Sequence, residues 1–417
     1  MTEGKKRIWS KNRSIWALMV LILASSVLVY STYFHQLGQL PEQRVMETEP
    51  IECWIYDSSW ETMMEIFQKQ HPGIEVNVRV FHSYDSLYTE LLAAISAGKA
   101  PDVAELNSFY GLANLVELGA LQQTKLYEAV PFDMLPSAKA AFTYKEEQWA
   151  VPVGASVPVV FYNRDKLTRA GFAEVMPFAD LTEMATALSA WVDSLSTRNV
   201  SLKWKQVLAV DDVLPFLFLN LWGRPGEEER QAKLKELLEA WNGLVFRSGI
   251  MSPLQHRLAS SEFMNGETLF LISDSKNIQW LDRYIAGKFN YGMFLLPGAA
   301  DQGLQPRIDG FAVLAGEDRS PYTAQLTGFL SSYGQQYSLF AGTGYIPVRL
   351  DVLSELERNT GQELLYKQLL DAKGLFRELR PAIDDERSWT EINRLMEQLE
   401  AVPESEAGTK ELLHLLP

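Results

Sequence analysis

The alternation of apolar and polar positions is most informative between Ile51 and Val103. A short apolar and aromatic run, Ile51 to Tyr56, ends in the small polar cluster Asp57, Ser58, Ser59, and a helical segment follows to Gln70. The break His71-Pro72-Gly73 stops that helix, after which Ile74, Val76, Val78 and Val80 alternate with Glu75, Asn77 and Arg79. That period of two predicts a half-buried strand. From about Tyr84 the residues Leu87, Leu91, Leu92 and Ile95 form one helical stripe, closed by Gly98 to Pro101 before a third run, Val103 to Leu106. Strand, helix, strand, helix, strand is the unit of a parallel sheet with covered faces. Ligands of such sheets collect beyond the carboxyl ends of the strands, so Asp57 to Ser59, His82 to Tyr84 and Asn107 to Tyr110 are expected to line one edge of a cleft.

Upstream, Ile15 to Phe34 is almost wholly apolar and long enough to cross a bilayer core. Lys5, Lys6, Arg7, Lys11 and Arg13 precede it against Glu3 alone, which predicts a cytoplasmic N-terminus and an extracytoplasmic remainder. The segment reads either as a cleaved signal peptide or as an uncleaved anchor. Its bulky end, Val29 to Phe34, favours the anchor. Residues 1–14 are then a cytoplasmic tail and 35–50 a polar tether. Downstream, Val159 to Tyr162 is a continuous β-rich run. The small Gly154, Ala155 and Ser156 leave room beside it for a ligand. Leu181 to about Leu296 looks mainly helical, and Asp351 to Pro417 largely so.

At 417 residues the chain has room for two domains, and its 47% hydrophobic content is that of a globular protein. A formal charge of −15 makes nucleic acid an unsuitable partner, because phosphate binding needs concentrated Lys and Arg. Cys53 is the only cysteine, which excludes an intrachain disulfide and a cysteine-based metal cluster. No Gly-x-Ser-x-Gly elbow, no His-Glu-x-x-His pair and no phosphate-cradling loop ending in Lys-Ser or Lys-Thr occurs. The five histidines are scattered, so neither a metal nor a cofactor is expected. Acidic pairs such as Asp211-Asp212 and Asp384-Asp385 fit a solvated loop or a helix end better than a glycosidase acid and base.

Several phrases carry a family resemblance. Gln68 to Ile74 followed by Ala97 to Val103 resembles the opening of family 1 extracellular solute-binding proteins, the maltose-binding-protein group of ABC importers. Trp149 to Ser156 leading into Val157 to Leu167, Ser261 to Ser275, Tyr291 to Gly298, and Ala341 to Arg349 resemble later phrases of that family in the same order. The resemblance implies an α/β, two-lobe periplasmic-binding-protein fold, type II-like with two or three hinge crossings, here preceded by a transmembrane helix. Its first, second and third crossings would lie at Trp149–Tyr162, Tyr291–Gly298 and Ala341–Arg349. Lobe 1 would comprise 51–157 and 298–346, and lobe 2 158–297 and 347–417. The lipidated cysteine usual in single-membrane members is absent after the apolar segment, so the helix itself would hold the protein at the cell membrane.

The implied function is capture of a carbohydrate or related polyol for an ABC importer's membrane subunits, by a monomer that performs no covalent chemistry. A membrane-anchored sensor, a carbohydrate-active hydrolase and a scaffold that has lost binding are the rivals. A polyol wants neutral hydrogen-bonding groups beside aromatic faces. The strand ends and implied crossings offer Asp57, Ser58, Trp60, Tyr84, Asn107, Phe109, Tyr110, Ser156, Trp222, Asp274 and Tyr345. Trp60 and Tyr84 fit helix core positions equally well, Trp222 closes an apolar run, and Asp57 fits a helix N-cap. Arg307 and Asp309 are spaced to pair with each other on a loop rather than to meet solute.

Overall fold

The computed structural model describes residues 49–124, 133–171, 178–197, 205–223, 226, 228–316, 319–359 and 364–403. The cytoplasmic tail, the apolar segment 15–34 and almost all of the tether lie outside the described residues. Among the described residues no helix is long and apolar enough to cross a membrane.

The strands in chain order are β1 (Ile51–Ile55), β2 (Val76–Val80), β3 (Val103–Asn107), β4 (Thr143–Tyr144), β5 (Glu147–Gln148), β6 (Val151–Ser156), β7 (Pro158–Asn163), β8 (Gln206–Val210), β9 (Thr268–Asp274), β10 (Tyr291–Leu295) and β11 (Arg307–Val313). Two of the sheets they form carry the two lobes. In the first the order is β2-β1-β3-β11-β6, with β1 parallel to both neighbours and β11 antiparallel to β3 and β6. In the second it is β10-β7-β9-β8, with β8 parallel to β9 and the other pairs antiparallel.

The opening unit forms as its pattern predicts. β1 and β3 are almost entirely buried, whereas β2 is an edge strand whose Val80 is exposed. The Ser59–Gln70 helix buries Trp60, Met63, Met64 and Phe67 against the sheet. The Tyr84–Ser96 helix starts on a capping box in which the Ser83 hydroxyl accepts from the Ser86 N–H. Cys53 is fully buried in β1, and burial together with the Glu105 charge pushes its thiol up, so it stays an inert core group.

The crossings differ in detail from expectation. Residues 158–163 do not span both lobes: β6 belongs to the first sheet and β7 to the second, and the chain changes lobe at Val157. Val157 accepts from the Ser275 N–H (2.8 Å), which ties the end of β9 to that junction. β10 sits inside the second sheet, so the return runs through 296–306 rather than through Tyr291–Gly298. Ile346 pairs with Ala155 by two backbone hydrogen bonds (2.7 and 2.8 Å) as the third segment passes the first. There a Cβ on Gly344 would lie 2.0 Å from the Ser275 carbonyl oxygen, so only glycine fits. The stretch read as mainly helical between Leu181 and Leu296 also contains β8, a five-residue strand buried throughout.

The C-terminal helix Asp385–Ala401 packs on the second lobe against the Leu214–Trp222 and Arg230–Asn242 helices. A buried polar cluster fixes its end. Glu400 accepts from the Trp241 indole N–H (3.1 Å), the Leu254 N–H (2.8 Å) and His256 Nε2 (2.9 Å), and His256 Nδ1 meets the Val210 carbonyl (2.8 Å). Below its pKa the ring donates from both nitrogens, one to each of these oxygens. Burial disfavours that charge, but Glu400 and the Val210 carbonyl outweigh it and raise the His256 pKa above its ordinary value. The sign follows: this contribution is complete below roughly pH 6.5, the unfolded value, and is lost as pH rises through the folded one. Urea unfolding midpoints are therefore expected to fall between roughly pH 6 and pH 9, with a shallower slope in His256→Gln.

Candidate functional site

β1 ends at the mouth between the lobes because Tyr56 and Asp57 leave the sheet there, and a buried carboxylate holds the turn. Glu105 of β3 is fully buried and accepts from the Tyr56 N–H (2.7 Å), the Asp57 N–H (3.1 Å) and the Trp60 indole N–H (2.6 Å). Burial, then the charges of Asp309 and Asp57, push its carboxyl well above the usual range, while the backbone N–H groups pull it down. The clamp aims Asp57 outward, where its Oδ1 accepts from the Ser59 N–H (2.9 Å).

From the other lobe Lys276, two residues past β9, reaches Asp57 Oδ2 at 2.5 Å. Burial alone would raise the Asp57 carboxyl, but the Lys276 ammonium and the Ser59 N–H hold it well below the usual range. The Tyr345 hydroxyl lies 2.8 Å from Asp57 Oδ2 and 2.6 Å from Asp309 Oδ2. Burial, followed by those two carboxylates, pushes this phenol far up, so it remains a donor. Asp309 also accepts from the Tyr56 hydroxyl (2.7 Å) and from Arg307 Nε (3.2 Å). Arg307 Nη1 completes a second bridge between lobes at 3.0 Å from Asp274 Oδ2, which accepts as well from the Ser156 hydroxyl (3.2 Å). Arg307 and Asp309 do pair, but within β11 rather than on a loop, Asp309 fully buried and the Arg307 side chain 11% exposed.

Beside this network lies a groove of about 880 Å³. Its first wall carries Tyr56, Asp57, Ser58, Ser59 and Thr62, with Gln335 and Ser338 from the Tyr333–Gly342 helix. The facing wall carries Asp211, Arg257, Lys276, Asn277, Gln279, Trp280 and Arg283. Hydroxyls, amides, cations and an indole therefore look at one another across it. A volume of this size accommodates a small polar ligand. Among the described residues no group of three or more His, Cys, Asp or Glu is arranged to hold a metal ion.

The residues singled out from sequence fall into four places. Asp57 and Ser58 line the groove. Tyr345, Asp274 and Ser156 lie behind it in the buried network. The space beside Gly154 is taken by the Tyr345 ring, 2.9 Å from where a Cβ would stand, and so is not open to a ligand. Tyr84, Asn107, Phe109 and Tyr110 cluster at the end of β3, where Tyr84 donates to the Tyr110 carbonyl (2.9 Å) and Asn107 Oδ1 accepts from the Phe109 N–H (3.0 Å). Phe109 is covered by Trp389 (4.7 Å between rings) and Phe216 (5.0 Å) of the second lobe. Trp60 and Trp222 are core residues: Trp60 packs on Phe311 and Tyr345, and Trp222 is 1% exposed in its helix. Lys276, Glu105 and Trp389 were missed, and Arg307 was read only as a partner of Asp309. A glutamate inside the apolar run Val103 to Leu106 was a legible signal, since a charge in a buried strand demands partners.

The family model for bacterial extracellular solute-binding proteins matches residues 62–361. The chain belongs to that family. As a solute-binding protein it is similar to the sn-glycerol-3-phosphate-binding periplasmic protein UgpB of Escherichia coli strain K12, at 24% identity over 378 residues, 79% of this chain and 84% of the relative. Among solved structures it shares the fold of the GacH receptor of Streptomyces glaucescens, with a TM-score of 0.73, 19% identity, and coverage of 88% of this chain and 98% of that one. It also shares that of UgpB from Mycobacterium tuberculosis in complex with glycerophosphocholine, with a TM-score of 0.70, 18% identity, and coverage of 88% and 99%. A solute-binding protein from Thermotoga lettingae bound with α-D-tagatose gives a TM-score of 0.72 at 16% identity, covering 89% and 100%. The two-lobe periplasmic-binding-protein architecture is therefore common to all of them.

Proposed function

We propose that this protein captures a small hydroxylated solute, a sugar or a polyol with or without a phosphate, between its lobes and delivers it to the membrane subunits of an ABC importer. In this reading residues 15–34 anchor the chain and the binding part works outside the membrane as a monomer. The observation that carries it is the groove in which Asp57, Ser58 and Ser59 of one lobe face Lys276 and Asn277 of the other. A solute that meets polar groups on both walls adds to the contacts that already join the lobes, so occupancy and lobe closure are linked. The relatives' solutes, glycerol 3-phosphate, acarbose, tagatose and glycerophosphocholine, all carry hydroxyls or phosphate oxygens of the kind these walls suit.

The test is thermal unfolding of the full-length chain in mild detergent against a panel of mono- and oligosaccharides and phosphorylated polyols. A true solute at a hundred times its dissociation constant adds about 2.7 kcal/mol, an upward shift of several degrees. A well-folded sample that responds to no member of the panel contradicts the reading.

A further inference from the structure

The Lys276 ammonium sits between two tyrosine rings and a carboxylate. Its Nζ lies 2.5 Å from Asp57 Oδ2, 5.7 Å from the centre of the Tyr56 ring and 5.5 Å from that of Tyr345. Tyr56 and Asp57 follow β1, and Tyr345 lies in the third segment beside β6, so all three walls belong to the first lobe. The cation alone comes from the second, at the tip of a flexible four-carbon stem. Aromatic faces with a carboxylate are the chemistry that recognises organic ammonium ions. Arg307 is committed to Asp274 and Asp309 and does not compete for this position.

Charge balance narrows what can displace Lys276. The Asp57 side chain is only 9% exposed, so a neutral or purely anionic solute that drew Lys276 away would leave a buried carboxylate without a cation. A solute bearing an ammonium group replaces one cation by another at no such cost. The released Lys276 then turns into the groove, whose lining also carries Arg257 and Arg283, so the groove offers cations to an anionic part of the same solute.

We propose that Asp57, Tyr56 and Tyr345 form a subsite for an organic ammonium group of the solute, occupied by Lys276 until the solute arrives, and that the preferred solute is zwitterionic, with phosphate as its anionic part. This rests on the groove being the solute site and narrows the solute's class.

Isothermal titration of the full-length chain with choline chloride, phosphocholine and glycerol 3-phosphate tests it. In the wild type, phosphocholine is expected to bind at least about tenfold more tightly than either choline or glycerol 3-phosphate. Choline is expected to bind Lys276→Ala at least about tenfold more tightly than the wild type, and Asp57→Asn to weaken phosphocholine by a similar factor. Lys276→Gln, which keeps the side-chain shape, carries the choline comparison if the alanine variant does not fold. Equal choline affinity for the wild type and a folded Lys276 variant overturns the proposal, as does wild-type binding of glycerol 3-phosphate equal to that of phosphocholine. Binding of a neutral sugar without any ammonium compound overturns this proposal and leaves the groove reading standing, whereas binding of no solute overturns both.

Discussion

Replacing Arg307 with alanine is expected to cost about 3–5 kcal/mol of stability, the usual penalty for removing one partner of a buried charge cluster. Its guanidinium lies between Asp274, which is 1% exposed, and Asp309, which is fully buried. Burial opposes the charge on Arg307, but the two carboxylates overcome it and push its pKa well above the ordinary value. Without the arginine both carboxylates are left in a low-dielectric interior, and each must lose its charge or remain unpaired. Because Asp274 belongs to β9 and Asp309 to β11, the deficit falls on the junction between lobes. Urea denaturation followed by tryptophan fluorescence measures it. Arg307→Met combined with Asp274→Asn and Asp309→Asn is expected to recover most of the loss, since no uncompensated charge then remains. A single Arg307→Ala variant as stable as the wild type would mean that these carboxylates are solvated in solution.

The second large effect is expected at Glu105. Alanine there strands three N–H donors, those of Tyr56, Asp57 and the Trp60 indole, and opens a void beneath the turn. Each orphaned donor costs about 1–3 kcal/mol, partly offset because a carboxyl that is costly to bury is also removed, so a net loss of about 3–4 kcal/mol is expected. Solute affinity is expected to fall at least about tenfold, because Asp57 loses the hydrogen bond that orients its backbone. Glu105→Gln should lie between, since its carbonyl oxygen can still serve the backbone donors while its NH₂ group faces the indole N–H. Denaturation and titration of the two variants separate the stability effect from the binding effect. Unchanged affinity in a folded Glu105→Ala variant would show that the turn holds itself.

How much of this was legible in the sequence depended on the distance over which each feature is built. The β1 to β3 unit was readable because period-two alternation, the Pro72-Gly73 break and the Gly98 to Pro101 stop are local signals. Asp57 was readable for the same reason, since it stands where an apolar run stops. Trp60, three positions on, turns inward to Glu105 and Phe311, which helical spacing alone does not decide. Lys276 was invisible as a site residue because its partner lies 219 positions away. Phe109 and Tyr110 were rightly put at a strand end, yet Trp389, which covers them, comes from a C-terminal region with no local signal for the cleft. β8 went unnoticed because five buried residues between helices leave no alternation to read.

The most direct measurement is the distance between the lobes with and without solute. Spin labels on Lys69→Cys, at the end of the Ser59–Gln70 helix, and Lys288→Cys, just beyond the Ile278–Ile285 helix, stand one on each lobe, and buried Cys53 escapes labelling. With a solute that stabilises the protein thermally, pulsed electron-electron resonance should show the distribution narrow and shift to the shorter distance. An identical distribution with and without that solute would contradict capture between the lobes.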